Sequence, residues 1–211
     1  MPAVTISAGY GTGGSVIARL VAEALGVPLI DRAISVEVAA ELQTTVAEAE
    51  DASFTRSRAD WFLSLLAPLA SGVLGAGTDA APAEATPVPT DADLFRDRAE
   101  KIMRESCATG VVILGRAGGA AFRDEPDVLR VRLFGKKAAC VAHAARTQHL
   151  DATAAEKQLA RVNAARAHYV RRLYGVDIDD PALYTLQLDS TVLGEDASAQ
   201  LIAAAYRALV H

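Results

Sequence analysis

The sequence predicts an α/β protein, a parallel sheet with helices on both faces, and three observations point there. An apolar run, Val4-Thr5-Ile6-Ser7, opens into Gly9-Tyr10-Gly11-Thr12-Gly13-Gly14-Ser15 and passes at once into helical periodicity from Val16 to Leu25. Val111-Val112-Ile113-Leu114 is an uninterrupted apolar run, as expected of a strand covered on both sides. Strand-like and helix-like segments alternate along the chain, and such crossovers make neighbouring strands parallel.

Each element has its own signal. Ile17, Leu20, Val21, Ala24 and Leu25 repeat at helical spacing, and Gly26 is a natural stop. Pro28 to Arg32 reads as a short apolar strand ending in two charges. Groups at the carboxyl ends of parallel strands face the ligand crevice, so Asp31 and Arg32 are candidates to touch a substrate; a surface ion pair is the plainer reading. Residues 33–50 read as a helix and the start of another, with Thr45 and Glu48 at capping-box spacing. From 51 to 73 the chain is apolar, with Trp61, Phe62, Leu63, Leu65, Leu66 and Leu69. Pro68 and the short length argue against a membrane span, which needs about 20 apolar residues. A helix pair on the core accounts for this stretch, the functional alternatives being a substrate-side cap or a surface for a second copy of the chain.

Gly75 to Thr90 has three prolines and little to bury, and reads as a mobile or extended loop. Asp91 to Ser106 is helical, with Leu94, Phe95, Ala99, Ile102 and Met103 on its apolar face. Leu129, Val131 and Leu133 alternate with Arg130 and Arg132 in a strand ending near Gly135. Lys136 to His149 is a helix, and Thr153 with Glu156 offers a capping box before a long helix to about Tyr174. The last strand is about Leu183 to Leu188, followed by a helix with Leu201, Ile202, Ala205 and Leu209 inward. There is no internal repeat.

Composition sets outer limits. At 211 residues the chain suits one domain with a small appendage. Apolar residues make up 51% and aromatics only 5%, which favours close-packed helices around a sheet over a large aromatic ligand box. The formal net charge of −5 argues against a general nucleic-acid-binding surface. Cys107 and Cys140 form no CxxC pair, and His143, His149, His168 and His211 show no metal-ligand spacing. Met1-Pro2-Ala3 lacks the basic start of a signal peptide, so the expected location is cytoplasmic, with no membrane partner.

Strand, glycine loop and helix in that order suit a phosphate. Glycines let the backbone turn and aim its N–H groups inward, and the helix N-terminus adds a favourable dipole. The lysine-bearing form of such a loop reads GxxxxGK followed by Ser or Thr. Gly9 and Gly14 match it, but Ser15 stands in the lysine position and Val16 in the hydroxyl position.

Residues Val4 to Arg32 resemble the opening of the cytidylate kinase-like family of P-loop proteins, with its strand, Tyr-Gly-Ser-Gly-Gly type loop, helix, and Asp-Arg pair after the second strand. Later segments resemble it too: Gly110 to Arg116, a buried strand ending in Gly-Arg; Arg161 to Gly175, an arginine-bearing lid helix; and Tyr184 to Leu193, the last strand and the next helix. The resemblance covers most of the chain outside about 45–92. It implies one P-loop kinase-like domain over 1–211, with an insertion at about 51–92 and a lid region at about 151–174. It also implies ATP, with Mg2+, on Gly9, Tyr10, Gly11, Thr12, Gly13, Gly14 and Ser15. A nucleoside monophosphate or other small acceptor would lie by Asp31, Arg32 and Arg116. Arg116, Arg161 and Arg166 would supply charge to the reaction.

Phosphoryl transfer needs alignment and positive charge around the transferring oxygens. Arg116, Lys136, Lys137, Arg146, Arg161, Arg166, Arg171 and Arg172 are the cations available for it. Counting helix turns puts Arg161, His168 and Arg172 near one face and Arg166 well away from them. The chain departs from the family at Ser15, Val16, Asn163, where an aspartate is usual, and Cys140, where an arginine is common. Two function classes follow. One is a nucleotide-dependent kinase in which another arginine replaces the loop lysine. The other is a non-catalytic nucleotide-binding or regulatory protein that has lost transfer. The metal ligands, the acceptor and any self-association are not legible in the residues.

Overall fold

The computed structural model describes residues 3–31, 91–115 and 117–210. By its internal contacts the chain divides into two compact units, residues 1–34 with 100–211, and residues 35–99. The sheet belongs to the first. Arg32, Arg116 and the segments expected at 33–50, 51–73 and 75–90 lie outside the described residues.

The described elements are β1 (Ala3–Ala8), α1 (Gly14–Leu25), β2 (Leu29–Asp31), α2 (Asp91–Cys107), β3 (Val112–Leu114), α3 (Gly118–Ala121), β4 (Val128–Phe134), α4 (Lys137–Gln148), α5 (Ala152–Tyr174), a 3-10 turn (Pro181–Leu183), β5 (Leu186–Asp189), α6 (Ser190–Leu193) and α7 (Glu195–Val210). The five strands are parallel, in the order β2-β3-β1-β4-β5. The fold class is therefore the α/β arrangement that the alternating elements predict. β1 is central, and the chain leaves it toward β2 and β3 on one side and toward β4 and β5 on the other. In open parallel sheets a crevice forms at the carboxyl edge where the winding reverses. The glycine loop starts at that point.

Strand alternation separates two chemically different faces. Val4, Ile6, Leu129, Val131 and Leu133 turn to one side and bury against Ile17 and Val21 of α1 and Ile202 and Tyr206 of α7. Thr5, Ser7, Arg130 and Arg132 turn to the other. The two arginines there are bolts, not solvated charges. Arg130 donates to the carbonyls of Leu183, Phe122 and Glu125. Arg132 donates to Ser7 Oγ at 3.1 Å and pairs with Asp179 at 2.5 Å. On this side α3 lies so close to β1 that a Cβ on Gly118 would sit 2.7 Å from Thr5 Cβ.

Three local expectations change. The cap of α5 is Asp151, whose carboxylate accepts from the Ala154 amide at 2.8 Å, in place of the Thr153 and Glu156 capping box. In α7 the buried residues are Ser198, Ala199, Ile202, Ala203 and Tyr206, while Leu201 and Leu209 face outward. The polar Ser198 closes that face by donating its hydroxyl back to Gly194 O at 2.6 Å. β5 starts at Leu186, because Pro181 and the Asp180 cap hold Pro181–Leu183 in a turn. Among the described residues no helix is long and apolar enough to cross a membrane.

The contact of α3 with β1 is directly testable. Gly118→Ala should destabilise the protein by about 1–3 kcal/mol through overpacking, a fall in melting temperature on the order of 2–12 °C. An unchanged melting curve would mean that α3 and β1 are not in contact at this point.

Candidate functional site

The glycine loop is held peptide by peptide. The Gly9 amide donates to Leu133 O at 3.0 Å, carrying the β1–β4 ladder one residue into the loop. The Ala8 carbonyl accepts from Arg166 Nη1 at 2.6 Å. The Tyr10 amide donates to Asn163 Oδ1 at 2.9 Å, and Gly9 O accepts from Thr12 Oγ1 at 2.8 Å. Thr12 O accepts from Ser190 Oγ at 2.8 Å, and Gly13 O accepts from the Ile17 amide at 3.0 Å. By contrast, the amides of Gly13, Gly14, Ser15 and Val16 meet no hydrogen-bond acceptor among the described residues. They are the orphan donors of a helix start, at the positive end of the α1 dipole. Such a helix start suits an anion through its backbone donors.

The glycines serve packing more than ligand approach. Gly11 has φ 77°, and a Cβ there would lie 2.2 Å from the Cys140 carbonyl oxygen in α4. Gly13, at φ 72°, faces Glu195, with its Cβ position 2.6 Å from a carboxylate oxygen. At Gly14 the missing Cβ makes room for Ala8 Cβ, at 2.4 Å. The Tyr10 side chain is an anchor, its ring buried among Cys140, Ala144, Ala155 and Leu159. Its hydroxyl donates to Gln148 Oε1 at 2.6 Å. Burial raises the Tyr10 pKa above its ordinary value, opposed by that hydrogen bond and by the Arg161 and Arg166 guanidiniums.

Among the residues expected at the site, Gly9 to Gly13 form a loop that runs straight into Gly14 and Ser15 at the start of α1, and Arg161 and Arg166 lie within electrostatic reach of Tyr10. Helix turns separate Arg166 from Arg161, His168 and Arg172, and that separation holds, with Asn163 and Arg166 bonded to the loop and the other three exposed. Asp31 ends β2 in register with Leu114, placing its backbone at the carboxyl edge of the sheet.

Sequence reasoning missed three residues. Ser190 offered only a helix-start signal. Glu195 lies against Gly13, and its carboxylate is 3.7 Å from His143 Nε2. Arg132 looked like the polar half of an alternating strand. It packs 5.9 Å over the Tyr184 ring, and the Tyr184 hydroxyl donates to Ile178 O at 2.6 Å. Burial raises the Tyr184 pKa as well.

Two expectations follow from this geometry. Gly26, at φ 65°, has no neighbour within 4 Å of its Cβ position, so Gly26→Ala should cost about 1–2 kcal/mol from left-handed backbone alone. Gly11→Ala adds the collision with Cys140 and should lower the melting temperature clearly further; equal losses would contradict the packing of the loop on α4. The second concerns alkaline pH. Raised folded-state values for Tyr10 and Tyr184 leave their stabilisation complete below the ordinary phenol pKa of 10.0. Stability should fall as pH rises through and beyond that value, because the unfolded phenols ionise first. Tyr10→Phe should flatten this fall in denaturant titrations across roughly pH 9 to 11, the phenol range.

Comparison with known proteins agrees with the geometry. No curated protein matches the sequence. Among solved structures, an uncharacterized protein from Eubacterium ventriosum ATCC 27560 has the same fold, with a TM-score of 0.65 and 16% identity over 98% of each chain. Shikimate kinase from Bacteroides thetaiotaomicron superposes more loosely, with a TM-score of 0.48 and 12% identity over 100% of this chain and 99% of that one. Shikimate kinase from Acinetobacter baumannii, in complex with shikimate, has a TM-score of 0.46 and 15% identity over 100% of this chain and 93% of that one. The sequence model of the cytidylate kinase-like family matches residues 3–192, a span running from β1 through the glycine loop and α5 to α6. With that match over nearly the whole chain, the protein belongs to the cytidylate kinase-like family.

Proposed function

We propose that the protein is a phosphotransferase that binds ATP on Gly9 to Ser15 and passes its terminal phosphoryl group to a nucleoside monophosphate or another small acceptor. The observation that carries this reading is the run of amides from Gly13 to Val16, without acceptors among the described residues, at the head of α1 on the carboxyl edge of the central strand. Four donors in sequence match a polyphosphate, whose charge is spread over many oxygens. Asp31 ends a strand beside β3, and Arg32 and Arg116 follow the same two strands in sequence; on this reading they receive the acceptor. A cytoplasmic setting goes with such a substrate.

The described residues contain no cluster of three His, Cys, Asp or Glu that could hold a metal ion. Mg2+ commonly takes most of its oxygens from phosphates and water, so it enters here as part of the ATP substrate. The protein's own work is to align the phosphates and to surround them with fixed dipoles and charge.

Ser15 supplies no cation, and we assign that part to Arg166. Its guanidinium is tethered at the Ala8 carbonyl, directly before the loop, at 2.6 Å. Arg161 adds a second charge nearby, acting on the same Tyr10. A planar guanidinium also presents two parallel N–H donors to two phosphate oxygens, a fixed fork that an ammonium lacks. The second reading, a binding protein without transfer, is favoured by one observation: the Glu195 carboxylate lies against Gly13, where negative charge opposes a phosphate.

Incubation with ATP, Mg2+ and each nucleoside monophosphate, followed by separation of the products, tests transfer. A nucleoside diphosphate product is expected. Binding of ATP with no product from any acceptor would establish the second reading. Arg166→Ala should weaken ATP binding by about one to two orders of magnitude, the worth of one hydrogen bond to a charged group. Ser15→Lys in that background should recover most of the loss, measured by calorimetry. A lysine that restores nothing would remove Arg166 from this role.

A further inference from the structure

We propose that Ser190 is a positioning residue that aims the Gly13 amide at the bound phosphate. The inference rests on the phosphate-binding reading of the glycine loop and extends it to the outer strand β5. Ser190 is 5% exposed and begins α6, directly after β5. Its hydroxyl donates to the Thr12 carbonyl at 2.8 Å, a bond wholly buried between residues 178 positions apart.

A peptide unit is planar and trans, so its carbonyl and its N–H point in opposite directions. When Ser190 takes the Thr12 carbonyl, the N–H of the same unit, that of Gly13, is turned the other way. That amide has no acceptor among the described residues. The same logic holds at the loop's entry, where the Gly9 amide goes to Leu133 and the Ala8 carbonyl to Arg166.

The unit between Thr12 and Gly13 needs such a pin. Gly13 sits at φ 72°, and glycine tolerates both signs of φ, so a flip of this peptide meets little steric resistance. Thr12 cannot hold its own carbonyl, because its hydroxyl is engaged with Gly9 O at 2.8 Å. Ser190 is itself fixed from both sides. Asp189 accepts from the Thr191 amide at 3.1 Å and from its hydroxyl at 2.6 Å. Gly135, at the end of β4, leaves room for the Thr191 side chain, since a Cβ there would lie 2.3 Å from Thr191 Cγ2. The strand β5, distant in sequence, thereby sets the direction of one donor in the loop after β1.

The test compares the parent with Ser190→Ala and Ser190→Thr, using ATP and inorganic tripolyphosphate as probes. Calorimetry supplies affinities, the 15N and 1H shifts of the Gly13 amide report its contact with the probe, and thermal unfolding reports stability. Ser190→Ala should weaken both probes alike, by about 10- to 100-fold, the worth of one hydrogen bond to a charged group. It should also abolish the Gly13 shift on binding. Ser190→Thr keeps the hydroxyl and should retain both affinity and shift; if its extra methyl prevents folding, Ser190→Ala decides alone. A folded Ser190→Ala variant that melts lower but keeps its affinities and its Gly13 shift overturns the proposal, as does a loss for ATP without one for tripolyphosphate. A parent protein that binds neither probe overturns the phosphate-binding reading and this inference with it.

Discussion

The structure depends on where the polar backbone of one short loop can send its hydrogen bonds. A buried carbonyl or amide without a partner costs roughly 1–3 kcal/mol, so each such group constrains the element that satisfies it. Ala8, Gly9, Tyr10 and Thr12 together recruit β4 through Leu133, α5 through Arg166 and Asn163, and α6 through Ser190. Three segments far apart in sequence converge on this one loop. Among the described residues the amides from Gly13 to Val16 have no acceptor.

This explains why the helix that resembles a lid has two different sides. Asn163 and Arg166 serve the loop, while Arg161, His168 and Arg172 are exposed. Farther along α5, Val170 packs with Ala120 of α3 and with Ile178. Opening of α5 would release the Tyr10 amide and the Ala8 carbonyl together, which couples the position of the helix to the shape of the loop.

The polar face of the sheet follows the same rule. Arg130 and Arg132 could not turn inward from β4 without acceptors, and they find them in carbonyls of the flanking turns and in Asp179. Arg132 also donates to Ser7, and Tyr184 stacks beneath its guanidinium. The apolar face needs no such matching, and Val4, Ile6, Val131 and Leu133 bury there against α1 and α7 by shape alone.

By itself the sequence determined the element types and their order, because periodicity and glycine placement are local signals. The parallel sheet, the loop at Gly9 to Ser15 and the family were legible for that reason. Its local readings failed where two signals competed within a few residues, as with Asp151 against Thr153 at the start of α5 or Leu201 against Ala203 along α7. Only the tertiary structure decided which side chains complete the loop. Ser190 and Glu195 carry no pattern that marks them, and Asn163 stands out only as a departure from the family, since their partners in the loop are separated from them by more than 150 positions. The glycines show the same division. Their spacing announced a tight loop, but the bodies that exclude a Cβ at Gly11, Gly13 and Gly14 are Cys140, Glu195 and Ala8, which are neighbours only once the chain has folded.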